Sequence, residues 1–270
     1  MSVVHTSTAK AAEKHLPSHA AARSRMYLYA VTGDAQRRTY GDVGIDGRKV
    51  YSIPVGRVAA VVSDVPSGKI RPERSHLTAH QGVLKTLMAE STPLPMRFGI
   101  LADSPQAVRE MLSRNQQTLC EQLRRVTGRV EMSLRVTWDV PNIFEYFVTT
   151  HLELCAARDR LLGGHREPTQ EQKIEVGRMF DRLLNEDRET YADQVEGILT
   201  PHCIEVKRNK CRNEREVMNL AWLVERTALP EFERGVFEAA KQFDNNFAFD
   251  YNGPWAPHNF VEINLALQAG

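Results

Sequence analysis

Arg129-Val130-Glu131-Met132-Ser133-Leu134-Arg135-Val136-Thr137-Trp138 alternates apolar and polar side chains, with Val130, Met132, Leu134, Val136 and Trp138 on one side. A period of two is the pleat of a strand with one buried face. Working outward toward the N-terminus, Ser104 and Pro105 offer the N-cap and first position of a helix. That helix carries Val108, Met111, Leu112, Leu119 and Leu123 on one stripe and has Gly128 as its stop. Residues 94–102 read as a short strand. Residues 72–90 read as a helix with Leu77, His80, Leu84, Leu87 and Met88 at helical spacing, ended by Pro93 and Pro95. Two β-branched runs, 49–55 and 57–65, flank Pro54-Val55-Gly56 and predict a hairpin. Within the second run, Val58-Ala59-Ala60-Val61-Val62 is unbroken apolar sequence, as in a strand buried on both faces. Met26 to Val31 is a first strand, ended by Gly33 and Asp34. Strand, helix, strand, helix, strand is a split βαβ pattern, so an α+β, ferredoxin-like sandwich is expected over residues 25–139.

Downstream of a boundary at Asp139-Val140-Pro141, Pro141 opens a helix with Phe144, Phe147, Val148, His151, Leu152 and Cys155 on its stripe, closed by Gly163-Gly164. A second helix from Pro168 displays Ile174, Val176, Phe180, Leu183, Leu184, Tyr191 and Val195, and the two predict an antiparallel hairpin. Strands near 203–208 and 214–225 follow. A helix from Pro230 carries Phe232, Val236, Ala240 and Phe243, and strands at 247–251 and 258–263 end the pattern. Residues 140–270 are therefore expected to form a second α+β domain, a ferredoxin-like variant with an added helical hairpin. Periodicity leaves its strand order open.

Composition narrows the function classes. In 270 residues, 35 basic side chains face 34 acidic ones, so no global field draws the chain to nucleic acid or an anionic membrane. No apolar run reaches the roughly 18 residues needed to span a bilayer, and a soluble protein is expected. Residues 1–24 are rich in Ala, Ser, His and Lys without an apolar signal-peptide core, and read as a mobile tail. Cys120, Cys155, Cys203 and Cys211 form no CxxC pair, which fits reduced thiols in a cytosol.

No seat for catalysis, a cofactor or a metal is visible. His76 and His80 are four apart on a helix, yet no Glu follows His76 and no third ligand is evident; His80 on the apolar stripe reads as a hydrogen-bonded core residue. His202, Cys203 and Cys211 match no zinc spacing. Ser67-Gly68-Lys69 lacks the upstream glycine of a phosphate-cradling loop, and neither Gly-x-Ser-x-Gly nor Gly-x-Gly-x-x-Gly occurs in a fitting context. Glu186-Asp187-Arg188-Glu189 reads as a solvated helix face pairing with Arg182. The basic run Lys207-Arg208-Asn209-Lys210-Cys211-Arg212 is placed on an exposed hairpin loop. It keeps open an alternative class, an RNA-binding or ligand-sensing ferredoxin-like protein, although the strand at Val58–Val62 lacks the exposed aromatics of an RNA-reading sheet.

Near the C-terminus stands Gly253-Pro254-Trp255-Ala256-Pro257-His258-Asn259-Phe260-Val261. Each proline fixes its own φ and turns the preceding residue away from helix, so Trp255 is expected on a stiff extended turn. Such a ring either plugs the end of the last sheet or anchors a partner. Pro93-Leu94-Pro95-Met96-Arg97-Phe98-Gly99 is a second unusual stretch. Extended, it sends Arg97 opposite to Met96 and Phe98, either to a carboxylate or carbonyl within the fold or into a groove between the domains.

These segments together resemble the gas vesicle GvpF/GvpL family, whose C-terminal signature is close to Gly-Pro-Trp-Pro-Pro-Tyr-Asn-Phe. Gly253, Pro254, Trp255, Pro257, Asn259 and Phe260 match it; Ala256 stands in place of proline and His258 in place of tyrosine. Met26 to Val31, His80 with Val83 and Leu84, Pro93 to Gly99 and Asn219 to Val224 extend the likeness from about residue 25 to 263. The resemblance implies a two-domain, non-enzymatic accessory or minor shell protein of gas vesicles, acting in the cytoplasm and on that organelle, with no cofactor. It implies the hydrophobic major shell protein, and other accessory proteins, as partners. Trp255 and Phe260 with Pro254 and Pro257, and Arg97, are then the expected contact residues.

Overall fold

The computed structural model describes residues 24–163 and 167–262. The tail expected over residues 1–24 lies outside the described residues except for Ser24, as do Gly164 and Ile263.

The first sheet is antiparallel. It contains β1 (Ser24–Thr32), β2 (Thr39–Gly41), β3 (Val50–Val55), β4 (Val58–Pro66) and two bridges that flank a turn, β5 (Leu94–Pro95) and β6 (Leu101–Ala102). The spatial order is β2-β3-β4-β1-β5, with β6 also on β1. The hairpin expected at Gly56 is present: Val55 pairs with Val58, and Gly56 sits at φ +58 with the Gln116 side chain where a Cβ would go. Val58 to Val62 are all fully buried, because helices cover both faces of β4. Beneath Met26, Leu28, Ala60 and Val62 lie α2 (Pro105–Arg114) and α3 (Gln116–Val126). Tyr27, Tyr29, Val61 and Val65 instead face α1 (Arg74–Glu90) through Val83, Leu84 and Leu87. The strand expected over 94–102 is reduced to its two ends. Pro93 and Pro95 lack amides to donate, and Gly99 at φ +87 turns the chain so that its N–H meets the Tyr27 hydroxyl at 3.2 Å.

The decisive strand does not close that sheet. β7 (Arg129–Trp138) is the first strand of a second antiparallel sheet, paired on one side with β9 (Glu216–Glu225) and on the other with β10 (Phe247–Trp255). Between them run α4 (Ile143–Thr150), α5 (Leu152–Leu162), α6 (Gln170–Leu199), the edge strand β8 (Glu205–Arg208) and α7 (Leu229–Ala240). The spatial order is β10-β7-β9-β8. In chain order this is β-α-β-β-α-β with the fourth strand beside the first, the ferredoxin-like connectivity expected for residues 25–139 and, as a variant, for 140–270; it occurs in the second sheet, which takes β7 from the first of those spans. The first sheet places four strands, β1 to β4, before its first α-helix and is not a split βαβ. The reason for the correction is that Val130, Met132, Leu134, Val136 and Trp138 are buried against Phe147, Phe180, Leu184, Trp222 and Phe232, all of them later in the chain. The overall class is α+β with two sheets.

Two of the expected helical stripes are interrupted. Asn115 divides α2 from α3 by donating its amide to the Met111 carbonyl, and His151 in extended geometry divides α4 from α5. Leu77, Leu152 and Ile174, expected on buried stripes, are exposed; Leu152 stands 88% open just past the His151 break. The strand expected at 258–263 is instead a 3-10 turn, His258–Phe260. Among the described residues no helix is long and apolar enough to cross a membrane.

Candidate functional site

β10 ends in the aromatic turn. Its ladder to β7 slips between Asn252 and Trp255, so that Trp255 lies opposite Glu131. Gly253 makes the slip possible. It adopts φ +137 before a cis peptide to Pro254, and a Cβ there would stand 2.7 Å from the Met132 sulfur and 3.1 Å from the Glu131 carbonyl. Pro254 and Trp255 project outward, with Trp255 43% exposed. Ala256 and Pro257 turn inward, and Phe260 is fully buried against Ala221 and Leu223 on the outer face of β9. The Lys207 ammonium stands 5.7 Å from the Phe260 ring centre, a cation–π contact.

Glu131 fastens the turn. One carboxylate oxygen accepts the Asn259 backbone N–H and the other accepts its side-chain amide, both at 2.7 Å. Burial pushes the Glu131 carboxyl above its usual range, and the two Asn259 donors pull it partly back. Beyond Phe260, Val261 packs against the core that α2 and α3 share with the first sheet, and the Glu262 amide reaches Gln122 of α3 at 3.3 Å. The segment 256–262 is thus a strap joining the outer face of the second sheet to α3.

Two histidines, buried His80 of α1 and half-buried His258 of the strap, face each other's charge. His80 is 2% exposed, with Nδ1 at 2.9 Å from the Tyr27 hydroxyl and its ring among Tyr27, Tyr29 and Phe98. Burial lowers its pKa to about 4, and His258 lies close enough to disfavour charge there further. His258 is itself lowered by burial. Neither Nε2 has a hydrogen-bond partner among the described residues. The apolar stripe of α1 already marks His80 as a core histidine. Nothing local in the sequence marks His258 as its neighbour or Glu131 as the clasp, since alternation alone marks Glu131 as solvent-facing.

The sequence-named site residues divide. Trp255 and Pro254 form an exposed face, whereas Pro257 and Phe260 lie behind it and cannot touch a partner without rearrangement. Arg97 is exposed, with Met96 buried and Phe98 half-buried in the His80 aromatic group. Among the described residues it reaches neither a carboxylate nor a carbonyl, so the internal partner expected for it is not found.

The other candidates are engaged elsewhere. His76 bonds the Arg71 carbonyl and the Asp46 carboxylate, each at 2.9 Å, away from His80. The basic run is split: Lys207 and Arg208 lie on β8 rather than on the expected loop, with Arg208 held by Glu189, Asp193 and Glu196 of α6 at 2.5–2.6 Å and Lys207 on Phe260, whereas Lys210 and Arg212 are exposed. Arg182 pairs with Glu186 as the acidic run predicted, and Asp187 takes the His151 ring at 3.1 Å.

Comparison with known proteins follows the same span. The family model described as "Gas vesicle synthesis protein GvpL/GvpF" matches residues 25–262. A gas vesicle protein F from Nostoc sp. (strain PCC 7120 / SAG 25.82 / UTEX 2576) is 26% identical, covering 89% of this chain and 99% of that protein. One from Streptomyces sp. (strain CB03234) is 28% identical over 82% and 92%. The crystal structure of the gas vesicle protein GvpF from Anabaena sp. PCC7120 superposes with a TM-score of 0.77 at 26% identity, covering 89% of this chain and 99% of that one. That of GvpF from Microcystis aeruginosa shares the fold at a TM-score of 0.75. Motifs scattered through the sequence, at Tyr27, His80, Met96–Phe98 and Trp255–Phe260, gather around one strap, and the chain that carries them belongs to the gas vesicle synthesis protein GvpL/GvpF family.

Proposed function

We propose that this chain is a non-enzymatic accessory or minor shell protein of gas vesicle assembly, present in the cytoplasm and at the vesicle, that binds the hydrophobic major shell protein. A shell subunit with an apolar, gas-facing surface aggregates if that surface stays exposed before assembly, so a partner that covers it has a physical task. The observation that carries the reading is Trp255 itself. Its ring is 43% exposed, yet its backbone is held from behind by the Asn259–Glu131 clasp and the buried Phe260. An aromatic that is already positioned loses little freedom on binding, which is what an interface anchor requires. In this reading Trp255 and Pro254 touch the shell protein, Pro257 and Phe260 hold the turn, and exposed Arg97 supplies a polar contact at the rim.

The test is co-expression of the full chain with the major shell protein, followed by affinity capture and mass spectrometry under conditions that keep the shell protein from assembling. Stoichiometric capture by wild type, lost in Trp255→Ala with an unchanged thermal transition, supports the anchor. Capture that survives both Trp255→Ala and Arg97→Ala removes this surface from the interface, and no capture by wild type removes the shell protein as partner.

A further inference from the structure

The second sheet has two edges of opposite character. β8 is four residues long, and its Arg208 is clamped by three carboxylates of α6. Short, charged edges of this kind resist strand addition. β10 is nine residues long, reads Phe247-Ala248-Phe249-Asp250-Tyr251-Asn252 before the Gly253 slip, and among the described residues pairs only with β7.

Which backbone groups face outward follows from the ladder. The Asp139 amide donates to the Asn246 carbonyl at 2.7 Å, whereas the Trp138 amide turns the other way, to Arg215 at 2.8 Å. In an antiparallel pair the direction alternates, so Ala248, Asp250 and Asn252 bond to β7. Phe247, Phe249 and Tyr251 therefore point their N–H and C=O groups to the free side; the Phe247 amide is already used by the Asp244 carbonyl at 3.3 Å. Phe249 and Tyr251 keep both groups open.

We infer that this edge pairs antiparallel with the same edge of a second copy of the chain, about a two-fold axis at Phe249. That register sets Phe249 opposite Phe249, Phe247 opposite Tyr251 and Ala248 opposite Asp250. It matches outward-pointing residues to each other, forming about four backbone hydrogen bonds without the Phe247 amide. All the half-buried aromatics fall on one face as cross-strand pairs, and no like charges meet. Shifting the axis to Asp250 sets that carboxylate against its own copy, and shifting it to Ala248 shortens the overlap. α7, which carries the 62% exposed Phe237, packs against this strand through Phe232 and Tyr251, their ring centres 6.3 Å apart. A two-fold contact of one edge with itself is closed and adds no further copies.

Ala248 supplies the test, because it is exposed and faces Asp250 of the partner across a close, non-hydrogen-bonded pair. Sedimentation equilibrium of the full chain from about 1 to 200 µM spans the range in which an interface of modest area dissociates. A monomer–dimer equilibrium is expected, weakened on the order of tenfold by Ala248→Asp and tightened by Ala248→Lys, since each change acts at two symmetric positions. Thermal melting confirms that each variant is folded; if Ala248→Asp is not, the tightening by Ala248→Lys decides. A monomer throughout the range overturns the inference, as does a dimer indifferent to both charges. Protection of the Phe249 and Tyr251 amides from hydrogen exchange only on adding an unrelated extended peptide assigns the edge to a foreign strand and also overturns it.

Discussion

Glu131 and Asn259, 128 residues apart, are joined by two hydrogen bonds of 2.7 Å that leave neither carboxylate oxygen free of Asn259. The pair turns the end of the chain into a part of the second sheet. Glu131→Ala removes both acceptors and leaves the part-buried Asn259 backbone N–H and side-chain amide without their partner. The expected cost is about 1–3 kcal/mol, seen as a melting temperature lower by several degrees. Asn259→Ala should cost a similar amount. The double variant should cost clearly less than the sum of the two, because each single change already breaks the clasp. Additive losses in a thermal double-mutant cycle would mean that the two side chains act separately.

Gly253 tests the backbone side of the same turn. Gly253→Ala meets two obstacles at once, a φ of +137 that side-chain-bearing residues rarely adopt and a sulfur 2.7 Å from the new methyl. We expect a loss of about 1–3 kcal/mol by denaturant titration. Shortening Met132 in the same chain should recover only the steric part; full recovery would show that the backbone conformation carries no cost.

Much of this architecture is legible in the sequence, and the misses share one cause. β1, the hairpin at Gly56, α1, the capped start of α2, the long α6 and α7 were all within reach, because caps, turns and periodicity are local signals. The alternation of β7 revealed which of its faces is buried but not which strands lie beside it. Its neighbours, β9 and β10, begin at Glu216 and Phe247, far beyond any window that periodicity reads. Glu131 was hidden for a related reason: its outward position is solvent-facing until the strap, 128 residues later, folds over it. Trp255 was found because prolines are conspicuous. The division of its motif into an exposed face and a buried back was not, since Phe260 is assigned to the core only by contact with Ala221 and Leu223.

That division makes a contrast between two aromatics of one motif. Phe260→Ala empties a fully buried site and removes the ring beneath Lys207, so a loss of about 3–5 kcal/mol is expected. Trp255→Ala removes a ring that is 43% exposed, and its melting temperature should stay near that of wild type. Guanidinium titrations of both variants side by side check this. Equal losses would return Trp255 to the role of a plug.

The histidine pair gives the strap a pH dependence whose sign is fixed by burial. His80 has its folded pKa lowered from 6.5 to about 4, and His258 is lowered as well. The unfolded chain therefore binds protons in a range where the folded chain refuses them. This stabilisation is complete above the unfolded value near 6.5 and disappears as pH falls toward the folded values. For His80 the shift corresponds to about 3 kcal/mol. Glu131 acts in the opposite sense: its carboxyl is raised, so the folded state gains from protonating it as the solution is acidified. The melting temperature should nevertheless fall steadily between about pH 6.5 and 4, because two imidazoles oppose one carboxyl. His258→Tyr removes one of the two neutral imidazoles together with its repulsion of a charge on His80. Its melting curve should be measured at half-unit steps across this interval, and a slope shallower than wild type is expected. A slope unchanged by that substitution would place the acid sensitivity elsewhere in the fold and leave His258 without a part in it.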